Sequence, residues 1–399
     1  MAEITPPKHV KNILKVLNAH EFPACIVGGC VRDAILGIEP QDWDIATAAL
    51  PEQVIELFPD SIPTGIKHGT VTVKSGNQLV EVTTFRSDSE YADHRHPDTV
   101  SFVGDLTTDL SRRDFTINAI ALTSDGTIVD PFRGIPDIYA KIIKCVGDPD
   151  KRFEEDALRM LRAFRFSSRL GFSIDSDTEQ AIIKNAPLAA FLSAERIRDE
   201  IEKILLTSSP SSLYKVIEYG LLDKFLNKHL SRDDGLIIIS SLKRKALPRW
   251  AMFCMLLLAD DCISDVRKFL SDLRLDGRTI NCCNDCCQIL KSRPPENVVE
   301  CKRLLHKYGI DSVECAAACC DAIFGGNYTE LLKKIMKSGD CFTLSRLAVN
   351  GNDLSSLGLK GKALGEMLEF LLDYVIEHPD NNKKELLLSL ASSNEDQYD

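Results

Sequence analysis

No apolar run in this 399-residue sequence is longer than residues 250–259, far short of the ~20 that a membrane-crossing helix needs. The first 22 residues, MAEITPPKHVKNILKVLNAHEF, lack an apolar core segment and a small-residue cleavage site. Nothing there points to export, and a cytoplasmic protein without a membrane span is the expectation. Basic charge is in the minority: 48 Lys and Arg face 59 Asp and Glu, a formal net charge of −11. That excludes a protein that coats nucleic acid through a broad basic surface, but not a local basic track. The 22 Gly and 17 Pro are too few for a collagen-like or low-complexity chain. What remains is ordinary globular composition, 44% hydrophobic and 27% charged, long enough for two to four folded units. The 14 Cys are numerous, and without a secretion signal they read as reduced thiols.

The first third alternates strands and helices. Residues 8–20 have helical apolar spacing, 23–27 form a strand, and a helix opens at 31–36 behind two glycines. Residues 69–74 and 78–86 alternate as strands around Ser75-Gly76-Asn77, a tight hairpin turn. From residue 151 onward the pattern is almost wholly helical, with helices at 154–170, 176–185, 194–206, 210–219, 247–259, 264–273 and 364–377. The expected architecture is a small α/β head followed by a long helical remainder, with no fixed-period repeat.

Three segments of the head carry candidate chemistry. In CIVGGCVRD (25–33) a β-run meets two glycines and a helix start, a geometry that lets backbone N–H groups approach phosphate oxygens or simply makes a tight turn. In DWDIATAA (42–49) Asp42 and Asp44 alternate, so on a strand both carboxylates share one face. Such a pair repels itself unless a cation intervenes, and hard oxygen ligands suit Mg²⁺; the alternative is a turn or helix cap. Glu81, in LVEVTTFR, is a third strand carboxylate that could join a two-metal phosphoryl-transfer site or stand on an exposed face.

With these segments, GIKHGTVTV (65–73), DLSRRDFTINAIAL (109–122), IVDPFRGIPDI, VGDPDKRFEEDALRMLRAFRFSSRLGFSI (146–174) and LSAERIRDEIEKIL (192–205) follow in order. Together they closely resemble the class II tRNA nucleotidyltransferases, the CCA-adding enzymes, over roughly the first half of the chain. Residues 347–368 resemble the C-terminal segment of the shorter bacterial members. The resemblance implies an α+β fold: a nucleotidyltransferase head of the DNA polymerase β-like type (1–141), then a helical neck (142–205), body (206–300) and tRNA-binding tail (301–399). It also implies template-independent addition and repair of the tRNA 3′-terminal CCA from CTP and ATP, with Mg²⁺ as cofactor and release of pyrophosphate. Asp42 and Asp44 then match the metal ligands and Glu81 the third acid. Gly29, Arg32 and Arg113 match nucleotide contacts, as do Arg162 and Arg165, while Asp114 and Asn118 could bond the sugar. The implied macromolecular partner is tRNA, held at acceptor stem and elbow, and the shorter members imply a homodimer.

Asp156 and Arg159, three residues apart on one expected helix, offer a physical account of base choice. Cytosine and adenine each present an amino donor beside a ring-nitrogen acceptor. A carboxylate and a guanidinium complement both, whereas guanine and uracil reverse the order. An ordinary i,i+3 salt bridge is the alternative. The loop 91–97, YADHRHP, has the full length that in this family accompanies adenosine addition; its His94 and His96 read as solvated rather than as a metal pair. The CCxxCC of Cys282, Cys283, Cys286 and Cys287 reads as buried thiols in preference to a zinc site. Arg196, Arg198, Lys203, Lys243, Arg244 and Lys245 are candidates for a basic track. An adenosine-only enzyme, a poly(A) polymerase and a silent RNA-binding module are the alternatives.

Overall fold

A computed structural model describes residues 4–88, 100–231, 234–292 and 294–393. The loop 91–97 with His94 and His96 therefore lies outside the described residues. The chain divides into two compact units, Met1–Leu230 and Ser231–Asp399.

The first unit begins with α1 (Lys8–Ala19), whose apolar stripe Val10, Ile13, Leu14 and Leu17 is buried. Then come β1 (Ala24–Val27), α2 (Gly29–Ile35), β2 (Asp44–Thr47), α3 (Pro51–Leu57), β3 (Ile62–Gly65), β4 (Thr70–Ser75) and β5 (Gln78–Thr84). Every residue of β1 is buried, which fits a strand near the middle of a sheet. Short strands β6 (Arg86–Asp88) and β7 (Val100–Phe102) pair with each other, ahead of α4 (Leu106–Ser111). After β8 (Ala121–Thr123) and β9 (Ile128–Val129), the described residues complete a seven-stranded mixed sheet of order β3-β4-β5-β2-β1-β8-β9. In β4–β5, Ser75 pairs with Gln78. The hairpin loop is thus the two residues Gly76-Asn77, with Gly76 at φ +65°, as a tight turn requires.

Beyond α5 (Gly134–Ala140) and β10 (Ile142–Ile143), the helix expected at 154–170 is in fact two: α6 (Pro149–Glu155) and α7 (Leu158–Leu170). Asp156 between them is extended, at φ −146° and ψ 100°, and its Oδ1 accepts from Leu158 N at 3.1 Å. A short carboxylate competes with the helical backbone for amide donors, so this aspartate ends one helix and caps the next. The unit continues through β11 (Ser173–Ile174), parallel to β10, then α8 (Ser176–Asn185), α9 (Ala194–Leu205) and α10 (Leu213–Glu218).

The second unit is all-helical among the described residues: α11 (Asp234–Ser241), α12 (Ala246–Ala259), α13 (Val266–Asp272), α14 (Gly277–Lys291), α15 (Val298–Phe324), α16 (Tyr328–Ser338), α17 (Gly351–Ser355), α18 (Gly361–Glu377) and α19 (Lys384–Ser393). Trp250 and Phe253 of α12 are fully buried, and α14 and α15 pack on that helix and on each other. Helix α15 is kinked at Gly309, whose φ is +77°.

Candidate active site

A cleft of about 520 Å³ opens over the sheet of the first unit. Eight arginines among the described residues line it (Arg32, Arg86, Arg112, Arg113, Arg159, Arg162, Arg165, Arg169), against four carboxylates (Asp44, Glu81, Asp114, Asp156). An acidic chain thus concentrates positive charge where a polyanion can enter.

Two of these acids, Asp44 and Glu81, stand on the sheet. Strand β2 runs parallel to β5, and their register places Asp44 directly beside Glu81, so both side chains leave the same face. Asp44 is raised above its usual value by burial first, then by the charge of Glu81 and, more weakly, of Asp42; Arg113 pulls the other way. Asp42 itself precedes the strand, on an exposed bend after Pro40. The expectation that both aspartates sit in the ladder holds only for Asp44, because the proline-led bend keeps Asp42 out of the pairing. Trp43 is only half-buried. Asp44 and Glu81 offer hard carboxylate oxygens of the kind that suits a divalent cation, and an ion would relieve the repulsion between them; Asp42 does not line this cleft.

Gly28 connects β1 to α2 at φ +84°, ψ −138°, a region open essentially only to glycine. A Cβ there would lie 2.7 Å from Arg113 Nη1, so the glycine also makes room for that guanidinium. The conformational demand falls on Gly28 rather than on Gly29, which lines the cleft next to it.

Six of the arginines are held by buried acids. Arg32, itself 2% exposed, donates to Asp33 Oδ1 from Nε at 2.8 Å and Nη2 at 2.7 Å, and to Asn118 Oδ1. Asp33 Oδ2 accepts from Arg169 at 3.0 Å. Arg112 and Arg113 both reach Asp109, which is buried. Arg165 donates to Glu200 at 3.1 Å, and burial with the adjacent Arg162 pushes it down to about 10, so it keeps its charge at neutral pH. The guanidiniums of Arg32, Arg162 and Arg165 lie 5.2, 5.5 and 4.5 Å from the ring centroid of Phe166, attracted to its π-face. Sequence reasoning passed over Phe166, Asp109 and Glu200; nothing in their local pattern separates them from core and helix-surface residues.

Asp114 is buried and accepts from Arg162 Nε at 2.8 Å and Asn118 Nδ2 at 3.0 Å. Burial alone pushes its carboxyl up, but Arg162 and the Asn118 amide together hold it well below the usual carboxylate range. A depressed native value means that Asp114 stabilises the fold above its unfolded value of ~4, and that this is lost as pH falls towards the native value. Asp114→Asn is therefore expected to lower stability at pH 7 by on the order of 3 kcal/mol, by stranding Arg162. Thermal melts between pH 7 and pH 3 are the check: the gap between wild type and variant narrows below pH 4.

Asp156 and Arg159 both line the cleft, but they form no i,i+3 salt bridge. Asp156 Oδ2 accepts from Arg196 Nη2 at 2.9 Å. Arg159 donates to Glu155 at 2.5 Å, to Arg152 O at 3.1 Å and to Arg112 O at 3.0 Å. Each is anchored by other residues, so neither neutralises the other. Arg196, expected in a basic track, instead bonds Asp156. Arg198 pairs with Asp199 and Lys203 with Glu200, while Lys243, Arg244 and Lys245 are exposed in the second unit.

The Poly A polymerase head domain family matches residues 24–144, spanning the whole sheet-borne part of this cleft. The probable RNA- and SrmB-binding site of polymerase A matches 171–232, and the putative tRNA nucleotidyltransferase domain 2 matches 245–391. The CCA-adding enzyme of Geobacillus sp. (strain WCH70) is 39% identical over 390 residues, 95% of each chain. The chain belongs to the CCA-adding enzymes. It is a nucleotidyltransferase, and the family is dependent on divalent metal. The Enterococcus faecalis CCA-adding enzyme is 36% identical, covering 96% of this chain and 95% of its own. A crystal structure of the Bacillus stearothermophilus CCA-adding enzyme in complex with CTP superposes with a TM-score of 0.85 at 34% identity, covering 98% of this chain and 99% of that one. No helix among the described residues is long and apolar enough to cross a membrane.

Proposed function

We propose that this CCA-adding enzyme builds and repairs the 3′-CCA of tRNA from CTP and ATP in the cleft of the first unit. The observation that carries the reading is the pairing of Asp44 with Glu81 at the foot of an arginine-lined cleft, within a chain that matches CCA-adding enzymes along its length. Asp42 and Asp44 would hold Mg²⁺, with Glu81 beside them; when bound, the metal neutralises triphosphate charge and acidifies the attacking primer hydroxyl. Arg32 and Arg113, with Gly29 at the start of α2, orient the triphosphate. Arg162 and Arg165 add contacts to the nucleotide, their positions set by Asp114 and Glu200. Asp156 accepts from the base amino group while Arg159 donates to the neighbouring ring nitrogen, and because the same donor–acceptor order occurs in cytosine and adenine, one pair serves both.

The neck, body and tail boundaries at 142, 206 and 301 remain our division of the helical part, whose role is to hold the tRNA acceptor stem and elbow through phosphate and shape. Here Arg249, 1% exposed, donates to Leu242 O at 2.7 Å and Lys243 O at 3.1 Å, which pins the Lys243–Lys245 turn for phosphate contact. The fourteen cysteines, all buried and free, support a reducing cytoplasm. The homodimer rests on resemblance to the shorter bacterial members.

The test is extension of a tRNA ending at its discriminator base. CTP alone should add two cytidines, and CTP with ATP should complete CCA. No extension with CTP alone would instead indicate an adenosine-only enzyme, and long adenosine tails a poly(A) polymerase.

A further inference from the structure

The cysteines of the second unit do not act alike. Helix α14 carries the CCxxCC pattern, and all four of its thiols are buried. Cys283 and Cys287 donate to backbone carbonyls in the first half of α12, Leu247 O at 3.9 Å and Ala251 O at 3.7 Å. Cys286 faces α15 instead, where Cys315 and Cys319 are one helical turn apart on one face. Its Sγ donates to Cys319 Sγ at 4.0 Å, and the sulfurs of Cys286, Cys315 and Cys319 all lie within 4.8 Å of one another. Among the described residues this is the one trio of His, Cys, Asp or Glu donors gathered so closely. The CCxxCC quartet is thus not a ligand set; one of its members joins two thiols more than 25 residues downstream.

Metal–thiolate bonds of about 2.3 Å place three sulfurs about 4 Å apart around a trigonal ion, close to the spacing present here. The donors are all soft, which disfavours Mg²⁺ and favours Cu(I) or Zn(II). Relative exposures of 0%, 2% and 0% for Cys286, Cys315 and Cys319 keep water from competing. We propose that Cys286, Cys315 and Cys319 form a binding site for a soft, thiophilic cation in the helical second unit, separate from the carboxylates of the first. Each sulfur–metal bond replaces an S–H bond whose proton leaves to solvent, with no change in oxidation state of sulfur or metal. The ion ties α14 to α15 and stabilises that unit by mass action.

The full chain, reduced, chelator-treated and kept anaerobic, is equilibrated in separate arms with Cu(I) and with Zn(II), each buffered by a competing chromogenic chelator. One equivalent is expected to be retained in at least one arm, with proton release and a higher Tm. Retention of Cu(I) alone identifies a trigonal site; retention of Zn(II) identifies one that recruits a fourth ligand. C286S and C319S should each weaken retention by roughly a hundredfold, while C301S, at a buried cysteine outside the trio, retains it. If a serine variant does not fold, as judged by far-UV circular dichroism, C315A carries the same comparison. Loss of metal to the chelator in both arms, or equal retention by wild type, C286S and C319S, overturns the proposal.

Discussion

Asp44→Ala lowers incorporation of both CMP and AMP by roughly a thousandfold or more, an increase of about 4 kcal/mol in the barrier. Single-turnover extension of tRNA with CTP, and of tRNA ending in CC with ATP, measures it. The size follows from position. Asp44 is the carboxylate that the parallel β2–β5 register sets beside Glu81, where burial and like charge both oppose its ionisation. A group held in that state stabilises the apo fold less when charged, and the proposed cation would offset that cost. The companion expectation concerns stability. A group with a raised native value destabilises the fold at pH values above that value, and the effect disappears as pH falls through it. Asp44→Asn should therefore raise the Tm of the chain in chelator at pH 8 and leave it nearly unchanged at pH 4, while still abolishing extension. Extension at wild-type rate by either variant would remove the carboxylate pair from the chemistry.

The second large effect concerns base choice. Asp156→Ala and Arg159→Ala should each reduce the preference for CTP over UTP, and for ATP over GTP, by about 10- to 100-fold, the ~1–3 kcal/mol cost of one unmet polar group. Competition assays with paired nucleotides read the ratio directly. On the proposed reading both preferences fall together, since one pair would serve both bases. The absence of an Asp156–Arg159 salt bridge matters here: Asp156 is braced by Arg196 and the Leu158 amide, and Arg159 by Glu155 and two carbonyls. Arg196→Ala, which leaves both reading groups in place but loosens Asp156, should produce a smaller loss in the same direction. Unchanged ratios in Asp156→Ala would return the pair to a structural role.

Much of the head was legible because its signals are local. Alternation of apolar residues in 69–74 and 78–86, with Gly76 between them, is enough to specify a hairpin, and observed strands Thr70–Ser75 and Gln78–Thr84 follow it closely. Helix Ser176–Asn185 likewise follows from its own pattern. The break at Asp156 was not legible, since helical spacing continues through it and only the capping bond of its carboxylate separates α6 from α7. Helices α14, α15 and α16 were also less apparent, because Cys- and Ala-rich stretches blur the contrast between buried and exposed faces that reveals an amphipathic helix.

The sequence by itself determined the family, the order of the motifs and the head-then-helices plan, and it singled out several of the acids and arginines that line the cleft, since these depend on residue type and spacing along the chain. Only the tertiary structure decided that Asp44 meets Glu81, that Phe166 gathers three guanidiniums, that Arg196 braces Asp156, and that Cys286 joins Cys315 and Cys319. Each of those meetings joins residues on different elements or turns on side-chain direction. Strand register and helix packing set them through the burial of apolar faces, and a one-dimensional pattern carries no measure of that distance.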